Sequence, residues 1–197
     1  MTKAFVIGNG TSRRGVNLHA LKKHGLTFGC NYLYREFVPD YLIALDVGIK
    51  EELKGKMLGL RHYVTREQVN IAYWFVCDGH PVERMSKLNG GLNNNSGIVA
   101  AAWASEIMLI DTVYLIGMDF FRPVPNEDND ITGGNYPGGP SLTKCWNRLI
   151  ENNPQTRFAR VGPIAEYDRE YYNTLTQKLE LISYEHFFKS EIGCATV

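Results

Sequence analysis

Three short runs of this chain carry residue types and spacings able to hold a ligand. Gly8-Asn9-Gly10-Thr11-Ser12 follows the apolar stretch AFVI, Asn95-Ser96-Gly97 opens a run of small residues, and Gly117-Met118-Asp119 follows TVYLI. Glycines let a backbone turn sharply and bring its N–H groups up to a ligand, and a helix start just beyond favours an anion. Thr11 and Ser12 add hydroxyls to the first run, and Arg13 and Arg14 follow as sources of positive charge. Such a loop is suited to a phosphate-bearing, nucleotide-type ligand. Its plain alternative is a structural tight turn, just as an asparagine run before a helix is commonly a cap.

Several familiar sites are ruled out by spacing. The third glycine, Gly15, comes too late for a dinucleotide fingerprint, and Asn31 stands where an acidic residue would grip a ribose. No Gly-Lys-Ser/Thr follows the first loop, so it is not a P-loop. Neither GxSxG nor HExxH occurs, and His19, His24, His62, His80 and His186 do not cluster in sequence. Asp128-x-Asp130-x-Thr132-Gly133 resembles a calcium loop but has Gly139 at the twelfth position in place of glutamate. Cys30, Cys77, Cys145 and Cys194 form no CxxC pair and no zinc spacing. No metal site is expected.

The elements that must position these runs alternate. Strands are predicted at 4–7, 26–29, 41–45, 62–65, 73–77, 112–116 and 157–161, with 179–184 as an edge strand. Runs such as AFVI, YWFVC and VYLI are apolar throughout, as strands buried on both faces of a parallel sheet require. Helices fit between them. Asn17 is placed to cap one running to residue 23, Ser96 one over 97–110, Ser141 one to about 152, and a further helix covers 166 to about 177. The pattern predicts one doubly wound α/β domain over 1–197, with a lid-like loop at 122–140. In such a sheet the carboxyl ends of the strands share one rim, where ligands bind. Asn9, Asn31, Asp46 and Asp119 each follow a strand at that rim.

Composition narrows the partners. Lys plus Arg equals Asp plus Glu at 21 each, so the basic excess of a nucleic-acid binder is missing. Little self-repulsion follows from that balance, which eases homo-oligomer formation. No apolar run reaches membrane-spanning length, and the first residues do not read as a signal peptide. The expected setting is cytoplasmic.

The blocks VIGNGTS, FGCN, NSGIVAAAWA and VYLIGMDFF together resemble the bacterial CMP-sialic-acid sialyltransferases of glycosyltransferase family 42. The equivalent pieces there read roughly GNGPS, RCN, TSGVYM and SGIDFY. The blocks also resemble the related domain-of-unknown-function family 115 and the archaeal pterin pyrophosphokinases. The likeness spans about residues 4–121. It implies a Rossmann-like fold with a mobile lid, often tetrameric, and no metal requirement. It implies Asn9 and Ser12 beside the nucleotide phosphate, Asn31 on the cytidine or its sugar, Ser96 and Gly97 along the donor pocket, and Gly117 and Asp119 opposite.

Two positions depart from that family. Phe121 stands where the family has a tyrosine that helps the phosphate leave, and no histidine occurs between His80 and His186, where its general base lies. General-base help is worth roughly 10²–10⁴ in rate. Tyr136 and Asp119 are the candidates to replace these groups. Three expectations follow: a sialyltransferase-like enzyme on a CMP-type nucleotide-sugar donor, a nucleotide-binding module without turnover, or a pyrophosphokinase-like transferase using magnesium on Asp46 and Asp119.

Overall fold

The computed structural model describes residues 1–44, 49, 52–53, 62–65, 95–119, 140–163 and 178–193, with 62–65 and 140–144 by their backbone only. Seven strands form one sheet: β1 Lys3–Ile7, β2 Leu26–Cys30, β3 Tyr41–Ala44, β4 His62–Thr65, β5 Thr112–Ile116, β6 Arg157–Val161 and β7 Leu179–Ile182. Every pairing is parallel, in the order β4-β3-β2-β1-β5-β6-β7. Six of the seven continuous runs read as strands are present, and the edge run at 179–184 forms β7 over its first four residues. The predicted strand at 73–77, the helix at 166–177, the loop at 122–140 and Asp46 lie outside the described residues.

The apolar strands exist because both of their faces are covered. Ala4, Val6, Phe28, Val113, Leu115 and Phe158 point to one face, where Ile98, Val99, Trp146 and Leu149 pack on them. The alternate residues Phe5, Ile7, Tyr114, Ile116 and Val161 point to the other, against Leu18, Leu21, Phe37 and Phe187. Burying a side chain of this size is worth about 1.5–3 kcal/mol. The helices supplying these contacts are α1 (Leu18–Leu21), α2 (Ser96–Ala102, continued by a π turn over Trp103–Ile107), α3 (Pro140–Asn152) and α4 (Tyr184–His186, continued by π turns over Phe187–Ile192). Among the described residues no helix is long and apolar enough to cross a membrane.

Helix starts differ from expectation by single residues. Asn17 caps α1 as predicted, accepting the Ala20 N–H, but the α-helix proper ends at Leu21 and loosens into turns before Gly25. The cap of α2 is Asn95 rather than Ser96: Asn95 Oδ1 accepts the Ile98 N–H at 3.0 Å, and Ser96 is the first helical residue. The α3 helix begins at Pro140, one residue before Ser141, a position that suits proline because its missing N–H has no helical partner to lose.

At the amino ends of the strands a charge network fastens α4 to the sheet. Arg157 pairs with Glu180 at 2.6 Å and with Glu191 at 2.8 Å, Tyr114 donates to Glu191, and Lys3 donates to the Glu191 carbonyl. His186 lies 3.9 Å from Glu191 in the same network.

Candidate functional site

The strand order reverses beside β1. From β1 the chain builds outward through β2, β3 and β4, then crosses to β5 on the other side of β1 and builds outward through β6 and β7. Loops leaving adjacent strands at such a reversal part in opposite directions and open a crevice at the carboxyl ends. Ile7 and Ile116 are in register, so the loops begin side by side at Gly8 and Gly117. Their pairing continues past the strands, with the Gly8 N–H donating to Ile116 O at 2.8 Å and the Gly10 N–H to Gly117 O at 2.9 Å.

Two glycines make this approach possible. A Cβ on Gly10 would lie 2.4 Å from Asp119 Oδ2 and 2.6 Å from Gly117 O. Gly117 has φ +64°, a left-handed conformation that a side chain disfavours, and a Cβ there would meet Arg13 Cδ at 2.9 Å. Gly97 extends the contact to α2, because a Cβ would fall 2.8 Å from Met118 Sδ.

Within the first loop, Thr11–Arg13 form one 3-10 turn. The Ser12 N–H donates to Asp119 Oδ2 at 3.0 Å, so the anion seated on this amide is the chain's own carboxylate. Arg13 does not project toward the crevice. It is buried, donates through Nε to Gly8 O at 2.8 Å, and grips both oxygens of Glu36 through Nη1. Arg14 is exposed.

The wall on the β2 side joins the other predicted residues. Asn9 Nδ2 donates to Cys30 O at 2.9 Å, tying the first loop to the end of β2. The next residue, Asn31, adopts φ +48°, which asparagine tolerates better than most side chains. Its Oδ1 accepts from Ser96 Oγ–H at 2.8 Å. Asn31 and Ser96 are therefore joined directly, while Asn9 reaches them through the Cys30 carbonyl and Gly97 and Gly117 lie on either side of Met118, with Thr11 on the turn of the first loop. Burial pushes the Cys30 thiol up to about 12, with Arg13 opposing, so it stays a protonated packing group.

On the β6–β7 side stand three residues not anticipated from sequence. Arg160 donates weakly to Met118 O at 3.4 Å and sets Nη2 3.8 Å from Asp119 Oδ1, both side chains being about nineteen-twentieths buried. Gly162 follows β6 as Gly8 follows β1 and Gly117 follows β5. That repeated strand-then-glycine pattern is the signal that could have marked it. Tyr184 begins α4, and its hydroxyl approaches Ser12. Burial, then the Asp119 carboxylate, pushes this phenol up to about 12, while Ser12, Arg160 and Arg13 moderate it.

Comparison with protein-family models, with curated proteins and with solved structures gives no match for this chain. The site is therefore defined by its own geometry: two glycine loops joined to each other at the carboxyl ends of β1 and β5, with each buried arginine among the described residues set beside a carboxylate. Arg13 faces Glu36 at 2.8 Å and Arg160 faces Asp119 at 3.8 Å. Tyr136, Phe121 and Asp46 lie outside the described residues.

Proposed function

We propose that the chain binds a CMP-type nucleotide sugar in the crevice between β1 and β5 and acts as a sialyltransferase-like glycosyltransferase. The observation that carries this reading is the hydrogen bond from Ser96 to Asn31, which joins two segments 65 residues apart beside the first glycine loop. These residues, with Asn9, are among those the family resemblance assigns to the donor. Charge supports it further. Among the described residues the buried Arg13 and Arg160 each lie beside a carboxylate, which suits a ligand with one phosphodiester charge better than a triphosphate, whose several charges would need unmatched cations or metal.

Direct displacement at the anomeric carbon would release the nucleotide, with hydroxyl and side-chain amide groups around the crevice meeting the departing phosphate. A cytoplasmic setting goes with this reading, in keeping with the free, buried Cys30 and Cys145. The test is CMP release from a CMP-activated sugar in the presence of EDTA. Sustained release supports the enzyme, and release that requires magnesium counts against it.

One observation favours a second reading, a binding module without turnover. Asp119 Oδ2 accepts the Ser12 N–H while Oδ1 lies 3.8 Å from Arg160, and His186 stands with Glu191 at the opposite end of the strands. His186, the one histidine after His80 in the sequence, is therefore not placed to act as a general base at the first glycine loop. CMP binding without release from the activated sugar would select this reading.

A further inference from the structure

We infer that Ser12, Asp119 and Tyr184 form a subsite for one neutral hydroxyl group of the ligand, an inference that rests on the crevice binding a nucleotide sugar. Ser12 Oγ, Asp119 Oδ1 and Tyr184 OH are all buried, and none has a hydrogen-bond partner. They come from the first glycine loop, the loop after β5 and the start of α4. The Ser12 hydroxyl lies close enough to the Tyr184 phenol to lower its pKa through a hydrogen-bond-type contact, yet the pair falls outside hydrogen-bond geometry. Buried polar atoms are paired as a rule, so three orphans at one place call for a missing group.

The donor and acceptor types specify that group. A carboxylate oxygen only accepts, so the group must donate to Asp119 Oδ1. Serine and tyrosine hydroxyls do either, so the group also accepts from one of them. A hydroxyl does both. A phosphate oxygen brings negative charge and no proton to the face of a carboxylate that pairs, among the described residues, with Arg160 at 3.8 Å. Residue 162 borders these groups without a side chain: a Cβ there would lie 3.9 Å from both Ser12 Oγ and Tyr184 OH.

The hydroxyl belongs either to the ribose or to the transferred sugar, and binding measurements separate the two. Affinities of CMP, 2′-deoxy-CMP and a CMP-activated sugar are compared on wild type, Tyr184→Phe and Gly162→Ala. Tyr184→Phe removes an oxygen that has no partner, and Gly162→Ala adds a methyl at ordinary contact distance, so both variants are expected to fold. A ribose hydroxyl in the subsite predicts that 2′-deoxy-CMP binds wild type about 10- to 100-fold more weakly than CMP, and that the gap closes in both variants. A sugar hydroxyl predicts that the activated sugar binds wild type more tightly than CMP by a similar factor, again lost in both variants. Wild-type binding with every ratio unchanged by the variants would mean that only a structural water sits there, and would overturn the subsite alone. No wild-type binding of any of the three compounds would overturn the nucleotide-sugar reading and the subsite with it.

Discussion

Ser12 and Asp119, 107 residues apart, meet across the point where the strand order reverses: the Ser12 N–H donates to the Asp119 carboxylate at 3.0 Å. This bond fastens the glycine loop of β1 to the loop of β5. It gives Asp119 a positioning role at this reversal.

Asp119→Ala removes the acceptor of the Ser12 N–H and the carboxylate oxygen 3.8 Å from Arg160. Losing a hydrogen bond to a charged group costs about 1.5–3 kcal/mol, a fall in Tm of roughly 3–12 °C for a chain of this size. Asp119→Asn, which keeps an acceptor for the Ser12 N–H, should lose less. Thermal melts of the two variants check the order. Equal, negligible losses would remove the fastening role.

Gly10→Ala should destabilise the fold by about 1–3 kcal/mol, the usual range for forcing an extra carbon into packed surroundings. The methyl would overlap the Asp119 carboxylate and the Gly117 carbonyl, and the latter is backbone. Gly15→Ala offers a control of a different kind, since nothing lies within 4 Å of its Cβ position and only its φ of +84° opposes the change. Urea denaturation should rank Gly10→Ala as the more damaging; the reverse order would refute the close packing.

At Asn31, backbone and side-chain roles can be separated. Asn31→Ala loses the acceptor for Ser96 and places alanine in a left-handed conformation, costing about 1–2 kcal/mol. Asn31→Gly relieves the backbone but also lacks the amide. Both should weaken CMP binding to a similar degree, while only Asn31→Ala also loses stability through strain. Full CMP affinity in Asn31→Gly would take this residue out of the site.

The network at the other end of the strands predicts a pH response. Hydrogen bonds from Arg157, aided by Tyr114, hold Glu191 down to about 2 against an ordinary value of 4.5. The folded state binds this proton less readily than the unfolded chain does. The stabilisation is therefore complete above about 4.5 and is lost as pH falls from there toward 2. The Tm difference between wild type and Glu191→Gln should be largest at neutral pH and shrink by pH 3. A difference that stays constant over that range would contradict the depressed value.

Strand positions were readable because buried parallel strands leave uninterrupted apolar runs, and AFVI and VYLI end at the glycines that begin the crevice. The α2 cap was displaced by one residue because Asn95 and Ser96 are both cap-forming types. What separates them is tertiary, since Asn31 draws the Ser96 hydroxyl away. Arg13 reads locally as a charge beside a phosphate loop, yet its guanidinium folds back onto Gly8 and Glu36. Tyr184 has no local signal at all. Its hydroxyl reaches Ser12 only because β7 lies beyond β6 at the sheet edge, an order that no window of sequence contains.

The most direct test of ligand binding at the β1–β5 crevice is a thermal shift with CMP in EDTA, run beside ATP with magnesium. Ligand at about 100 times its Kd stabilises by about 2.7 kcal/mol, which for a chain of this length raises Tm by roughly 5–10 °C. A rise with CMP that needs no metal is the predicted result. No rise with CMP, or a rise only with ATP and magnesium, would contradict it.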